Sequence, residues 1–161
     1  MDEIHDFSQE QQTLMLSTVD KLKHPHMSYA SFVSHKDCFY VLISTQAKHT
    51  INLLDNPKAA VMLIQDEVFS KQIFARKRVT FNIDSRVIQR DTKEWHKYLY
   101  LMENKFGNII RQLSNLADFL LFELKTDQGR YVKGFGKAYN ISHDPNAQFE
   151  HVNRGHQPIN K

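Results

Sequence analysis

The shortness of the connections between strand-like segments is what most narrows the fold of this chain. Five stretches carry the period-two, β-branched and aromatic pattern of strands: Thr13–Val19, 27–34, 39–44, 58–65 and 72–87. Residues 20–26, punctuated by Pro25, and His35-Lys36-Asp37 read as turns. Neither is long enough for the crossover of a dozen or more residues that a parallel pair needs. One helical period intervenes, over residues 45–56, where Ala47, Ile51 and Leu54 share a face, Leu53 lies close by and Asn56-Pro57 stops the helix. Closely spaced strands with a single helix among them predict an antiparallel barrel rather than βαβ units.

The second half adds a long helix and a hairpin. Residues 91–116 set Trp95, Tyr98, Leu99, Met102, Phe106, Ile109, Ile110 and Leu113 three and four apart, one apolar stripe to pack on a barrel. Asp91 is the expected N-cap, with Glu94 completing a capping box. Residues 118–124 and 129–141 read as two strands turned by Thr126-Asp127-Gln128-Gly129. A short helix with Ser8 as its N-cap is expected ahead of the first strand. The expected fold class is therefore mainly β, a barrel with flanking helices over residues 1–141. Residues 142–161, with two prolines and few apolar side chains, read as a tail without a core of its own.

Composition excludes several classes. A chain of 161 residues reads as one domain and needs no disulfide staples, and its single Cys38 cannot form an internal bridge. Cys38 is expected to be a small, buried hydrophobe at a strand start. The acidic N-terminus lacks the apolar core of a secretory signal, and the longest apolar runs are too short to span a bilayer, so a cytoplasmic protein is expected. A net charge of +3 is too mild to suggest nucleic-acid binding.

Four places hold residues suited to chemistry. Over residues 129–139 bulky and small side chains alternate as in a strand, with Tyr131, Lys133, Phe135, Lys137 and Tyr139 on one face and Val132, Gly134, Gly136 and Ala138 on the other. Glycines so placed serve either close backbone packing or a flat wall for a planar cofactor or partner. In a strand Arg76 and Arg78 would share a face, suited to a carboxylate or phosphate, or equally to an edge protected by charge. Lys48 and His49 open the helix of residues 45–56, where amide groups and the helix dipole favour anions. His156, in Gly155-His156-Gln157-Pro158, sits on a loop-forming stretch, and its local sequence gives no reason to expect a role. There is no Gly-x-Ser-x-Gly, His-Glu-x-x-His or Gly-x-x-x-x-Gly-Lys motif, so any catalysis leans on a cofactor.

These residues taken together resemble a known group. Residues 13–20, Phe74-Ala75-Arg76-Lys77-Arg78, Ala117-Asp118-Phe119, Val132-Lys133-Gly134-Phe135-Gly136 with Ala138-Tyr139, and Gly155-His156 are similar, in order and spacing, to the HugZ/HutZ group of bacterial haem-utilisation proteins. The wider superfamily is the FMN-binding split barrel of the pyridoxamine 5′-phosphate oxidases. The resemblance implies a six-stranded split barrel acting as a homodimer, with haem in a cleft between subunits. It implies a haem-degrading oxygenase that frees iron, using an external electron donor and neither nucleic acid nor membrane. His156 matches the group's axial iron ligand, Asp118 the carboxylate that orients it across the dimer, and Arg78 and His49 residues of the haem surroundings. Arg76, Arg78, Lys48 and Lys133 are the expected cations for the propionates. A carrier or store with the same site, and an FMN-dependent oxidase, are the alternatives. Against flavin, the second-strand stretch where that superfamily carries two cations reads Ser28-Tyr29-Ala30-Ser31-Phe32-Val33.

Overall fold

A computed structural model describes residues 2–142 and 149–152. The strands are β1 (Thr13–Val19), β2 (Pro25–His35), β3 (Cys38–Ser44), β4 (Lys58–Ile64), β5 (Arg78–Ile88), β6 (Phe119–Gly134), β7 (Lys137–Ile141) and β8 (Phe149–His151). The helices are α1 (Asp2–Glu10), α2 (Lys48–Asp55), α3 (Lys93–Phe106) and α4 (Ile109–Ser114). The sheet runs β3-β2-β1-β4-β5-β6-β7-β8, and an added β3–β6 pairing closes its first six strands into an antiparallel barrel. The barrel expected from the short connections is therefore present.

Strand β6 makes the closure. Its first part, from Phe119 to Lys125, pairs with β3, while β5 pairs with it from Leu121 to Val132. Beyond that part β3 has ended and β7 takes the vacated edge, with Gly129 opposite Ile141. The hairpin expected between residues 118 and 141 is thus displaced. Thr126 to Gly129 lie within β6, and the turn falls at Phe135-Gly136, where Gly136 takes φ +66°. The stretch 129–139 is two strands and a turn rather than one strand, so Gly134 and Gly136 form no wall. The packing use of glycine appears at Gly129. A Cβ there would lie 2.4 Å from the Thr80 carbonyl oxygen and 2.5 Å from the Phe81 ring, beside a register shift in the β5–β6 ladder.

Alternation along the strands fills the barrel. Leu14 and Leu16, Phe39, Val41 and Ile43, Val79, Phe81 and Ile83, and Phe122 and Leu124 all point inward. Helix α1 covers one barrel end with Ile4 and Phe7, each burial stabilising by about 1.5–3 kcal/mol. Ser8 is no N-cap. It lies inside α1, and its hydroxyl donates to the Ile4 carbonyl at 2.8 Å. Strand β3 is apolar on both faces because its outward residues, Tyr40 and Leu42, lie under α3 and α4 with Trp95, Tyr98, Met102 and Ile110. The Tyr40 and Tyr98 rings stack at 3.5 Å, and the Tyr40 hydroxyl donates to Glu123 at 2.9 Å. Lys105, near the end of α3, donates to the carbonyls of Gln11 at 2.6 Å and Phe32 at 3.1 Å.

The single helix expected over residues 91–116 is two. Thr92, not Asp91, is the N-cap, accepting from the Trp95 amide at 3.2 Å, and Asp91 takes φ +62° in the turn before it. Gly107 at φ +79°, ψ −159° ends α3, and α4 starts two residues later. That backbone region is essentially reserved for glycine and costs other residues about 1–3 kcal/mol. No atom lies within 4 Å of a Cβ built at Gly107, so strain alone decides the outcome. Gly107→Ala is expected to lower unfolding free energy by about 1–3 kcal/mol, read from urea midpoints at unchanged slope. A midpoint equal to wild type would show that the corner relaxes without cost.

Candidate functional site

Two groups of candidate residues form, at opposite ends of β6. The first is built where β3 ends. Ser44 pairs with Phe119, which sets Asp118 beside Thr45. The Thr45 amide donates to the Asp118 carbonyl at 2.8 Å, and the Ser44 hydroxyl donates to Asp118 Oδ2 at 2.6 Å. The Gln46 amide in turn donates to Ser44 Oγ at 3.0 Å. Asp118 Oδ1 has no hydrogen-bond partner among the described residues.

The same turn leads into α2. Lys48 Nζ lies 3.6 Å from Asp20 Oδ2, so its charge already has a partner. Asp20 also accepts from the His24 and Leu22 amides, and with the His24 bond foremost these hold its carboxyl below the usual range. His49 Nδ1 is 2.9 Å from Ser28 Oγ. The Ser28 hydroxyl donates to the Leu16 carbonyl at 3.3 Å, so it receives its other hydrogen bond from Nδ1–H. Burial pushes the His49 imidazole below the usual histidine range, and nearby His26 adds to the shift.

Helix α2 packs differently from expectation. Thr50, Asn52 and Leu53 are buried, with Asn52 Nδ2 donating to Thr18 Oγ1 at 2.9 Å, while Ile51 and Leu54 are exposed. Asn52 and His49 share the inward side with Leu53, and Ile51 and Leu54 face outward. Other exposed apolar groups lie on the outer face of β1 and β2, where Met15 pairs with Tyr29 and Ser17 with Met27. Tyr29 is 70% and Met27 55% exposed, so apolar side chains of both strands share this outer face.

The second group surrounds the start of β5. Arg76 and Arg78 do not share a strand face. Residues 73–75 form a 3₁₀ turn, and β5 begins only at Arg78. The Arg76 guanidinium donates to the Gln65 carbonyl through Nε at 3.1 Å and Nη2 at 2.5 Å, and to Glu67 at 3.2 Å. It serves to close its own loop. Arg78 is half-buried and donates once, to the Arg76 carbonyl at 3.1 Å, with no carboxylate partner among the described residues. Lys133 pairs with Glu3 of α1, which also accepts from the Tyr131 hydroxyl at 2.8 Å and lies 4.0 Å from Lys77. The Lys133 bond chiefly holds the Glu3 carboxyl below the usual range.

Asp118 thus lies at the turn that leads into Lys48 and His49, and Arg76 and Lys133 lie beside the Arg78–Val132 pair. Arg78 faces Val132 and Asp118 precedes Phe119, so nearly all of β6 separates the two groups. His156 lies outside the described residues. Sequence reasoning missed Ser44 and Glu3. Ser44 carries a local signal, a serine ending an apolar strand, while Glu3 has none, since its partners are remote in the chain. A cavity of about 220 Å³ opens between α1 and the β2–β3 turn, lined by Ile4, Cys38, Phe39, Phe81 and Ile141 among others, and contains none of the predicted residues. Cys38 does open β3 but is only partly buried. No set of three metal-ligating side chains converges among the described residues, and no helix among them is long and apolar enough to cross a membrane.

The barrel closed through β6, with α2 packed across β1 and β2, is the split-barrel architecture, and residues 1–133 match the family described as Pyridoxamine 5′-phosphate oxidase, to which the chain belongs. Within that family the chain is 46% identical over 157 residues to a protein of Vibrio cholerae, covering 98% of this chain and 89% of that one. That relative is Heme oxygenase HutZ. A crystal structure of HutZ, described as a haem storage protein, superposes with TM-score 0.78 at 42% identity over 83% of this chain and 94% of the other. Campylobacter jejuni ChuZ superposes with TM-score 0.87 at 28% identity, over 99% of this chain and 65% of that one.

The His49 shift has a consequence for stability. A histidine whose folded value is depressed stabilises the fold above the unfolded value near 6.5, and that stabilisation is lost as pH falls. Urea midpoints of the wild type are expected to fall between pH 7 and pH 5. His49→Gln, which keeps a donor toward Ser28 and does not titrate, is expected to flatten that fall. An equal slope in the variant would place the proton uptake elsewhere.

Proposed function

We infer that this chain is a cytoplasmic haem-degrading oxygenase that works as a homodimer and frees iron from haem with electrons from an external donor. The observation that carries the reading is Asp118. Its carboxylate is held at one oxygen by Ser44 and presents the other with no partner among the described residues. A metal-bound histidine needs such an acceptor on its second ring nitrogen. His156 fills the ligand role by its place in the sequence, and the 46% identity to Heme oxygenase HutZ supports the assignment.

Haem would sit between two chains. The 220 Å³ cavity is lined by none of the residues assigned to haem. Exposed Met15, Met27 and Tyr29 on the barrel and Ile51 and Leu54 on α2 supply apolar surface for a second copy and for a porphyrin face. A partner would set the Arg78 end of one chain against the Asp118 end of the other. Arg78 is the cation ready for a propionate. Lys133 and Lys48 would exchange partly exposed, salt-screened ion pairs for that contact. Bound haem supplies the redox chemistry. The chain's part is to hold the iron through His156, orient that ring through Asp118, and keep water from the face covered by the partner.

A haem store with the same site is the second reading, favoured by the description of the HutZ crystal structure. Flavin is disfavoured because the second-strand stretch Ser28-Tyr29-Ala30-Ser31-Phe32-Val33 carries neither of the cations that hold the flavin phosphate in that superfamily.

Haem titration tests the site. His156→Ala is expected to weaken binding at least 10-fold and to lose the histidine-ligated spectrum. Asp118→Asn should bind haem with about 10–100-fold lower affinity on an unchanged fold. Wild-type spectra and affinities in both variants would remove these residues from the site.

A further inference from the structure

We propose that Ser44 is a positioning residue for Asp118, setting the plane in which its carboxylate meets the ligand histidine. The inference rests on the haem reading above and adds to it a residue that the family resemblance did not supply. The geometry is a directed chain of hydrogen bonds. The Gln46 amide donates to Ser44 Oγ at 3.0 Å, and the Ser44 hydroxyl donates to Asp118 Oδ2 at 2.6 Å. With Gln46 supplying a donor, the single hydroxyl hydrogen is directed to the carboxylate, and a length of 2.6 Å is that of a charge-assisted bond. Each link polarises the next.

The backbone around Asp118 is secured independently. The Thr45 amide bonds the Asp118 carbonyl at 2.8 Å, and Ser44 pairs with Phe119 in the β3–β6 ladder. Removing the hydroxyl therefore leaves the corner in place but releases the carboxylate to rotate about its side-chain bonds. The bond occupies one oxygen and leaves Oδ1 to accept a ring N–H. The residues after Ser44 run directly into Lys48 and His49, so the turn that orients Asp118 also starts α2.

The test uses the full chain loaded with haem and reads the iron–histidine stretching band by resonance Raman, together with the rate of haem transfer to apomyoglobin. Ser44→Ala is expected to move the band to lower frequency, toward that of Asp118→Asn, and to speed haem loss about 10-fold, as loss of an outer-sphere ligand partner does. Ser44→Thr, which keeps the hydroxyl, should restore both. Should Ser44→Ala fail to fold, Ser44→Cys, a weaker donor of similar shape, is expected to fall between wild type and Asp118→Asn. A wild-type band in Ser44→Ala or Ser44→Cys, while Asp118→Asn shifts it, overturns the role of Ser44 and leaves that of Asp118 standing. A wild-type band in Asp118→Asn itself overturns both.

Discussion

The closure of β3 against β6 is the constraint on which the rest depends. Seven residues of β3 pair in register with the first part of β6, from Cys38 opposite Lys125 to Ser44 opposite Phe119. Because β6 is longer than that pairing, its remaining length crosses β5 and takes β7 as a new neighbour. One ladder therefore decides three things. It seals the apolar interior, fixes Asp118 at the end where β3 gives way to α2, and carries the chain on to the Arg78 end. A shift of this register by one residue would reverse every side chain of β3 and move Asp118 away from Ser44.

The electrostatics follow from that layout. The cations near the two ends are not equivalent. Arg76 is tied into its own loop by the Gln65 carbonyl and Glu67, whereas Lys48 and Lys133 rest on single carboxylates at partly exposed positions. Exposed pairs of the latter kind are weak and screened by salt, so an arriving carboxylate can take their place. Glu3 is notable here because one carboxylate of α1 meets Lys133, Lys77 and Tyr131, joining the covered barrel end to the cations of the second group. Helix α2 shows the complementary effect. Its inward face is held by Asn52 and His49, and the apolar Ile51 and Leu54 are left for a surface that one chain does not provide.

The barrel was legible because its signals are local. The period-two runs and short turns of β1 to β4 predict their strands to within two residues or so, and Pro57 marks the end of α2. Errors arose where a residue type has two uses. Glycine reads the same whether it turns the chain, as at Gly136, or admits a neighbouring backbone, as at Gly129, and only pairing distinguishes them. Gly107, inside the stretch expected to be one helix, is a helix terminus. Arg76 and Arg78 share strand parity, but the 3₁₀ turn before β5 removes Arg76 from the strand. The site was less legible still. Arg78 was legible as part of a charge cluster, but Asp118 emerged only from resemblance to a family, since no spacing in the chain announces two groups at opposite ends of one strand. Ser44 and Glu3 needed the fold itself.

The central claim is that haem is consumed by this protein and not merely held. The most direct measurement adds ascorbate in air to the haem-loaded full chain and follows the Soret band, with a ferrous chelator present to capture iron. An oxygenase predicts loss of the Soret band together with release of about one iron per haem lost. A Soret band that persists with no iron captured would contradict the account and leave a haem store.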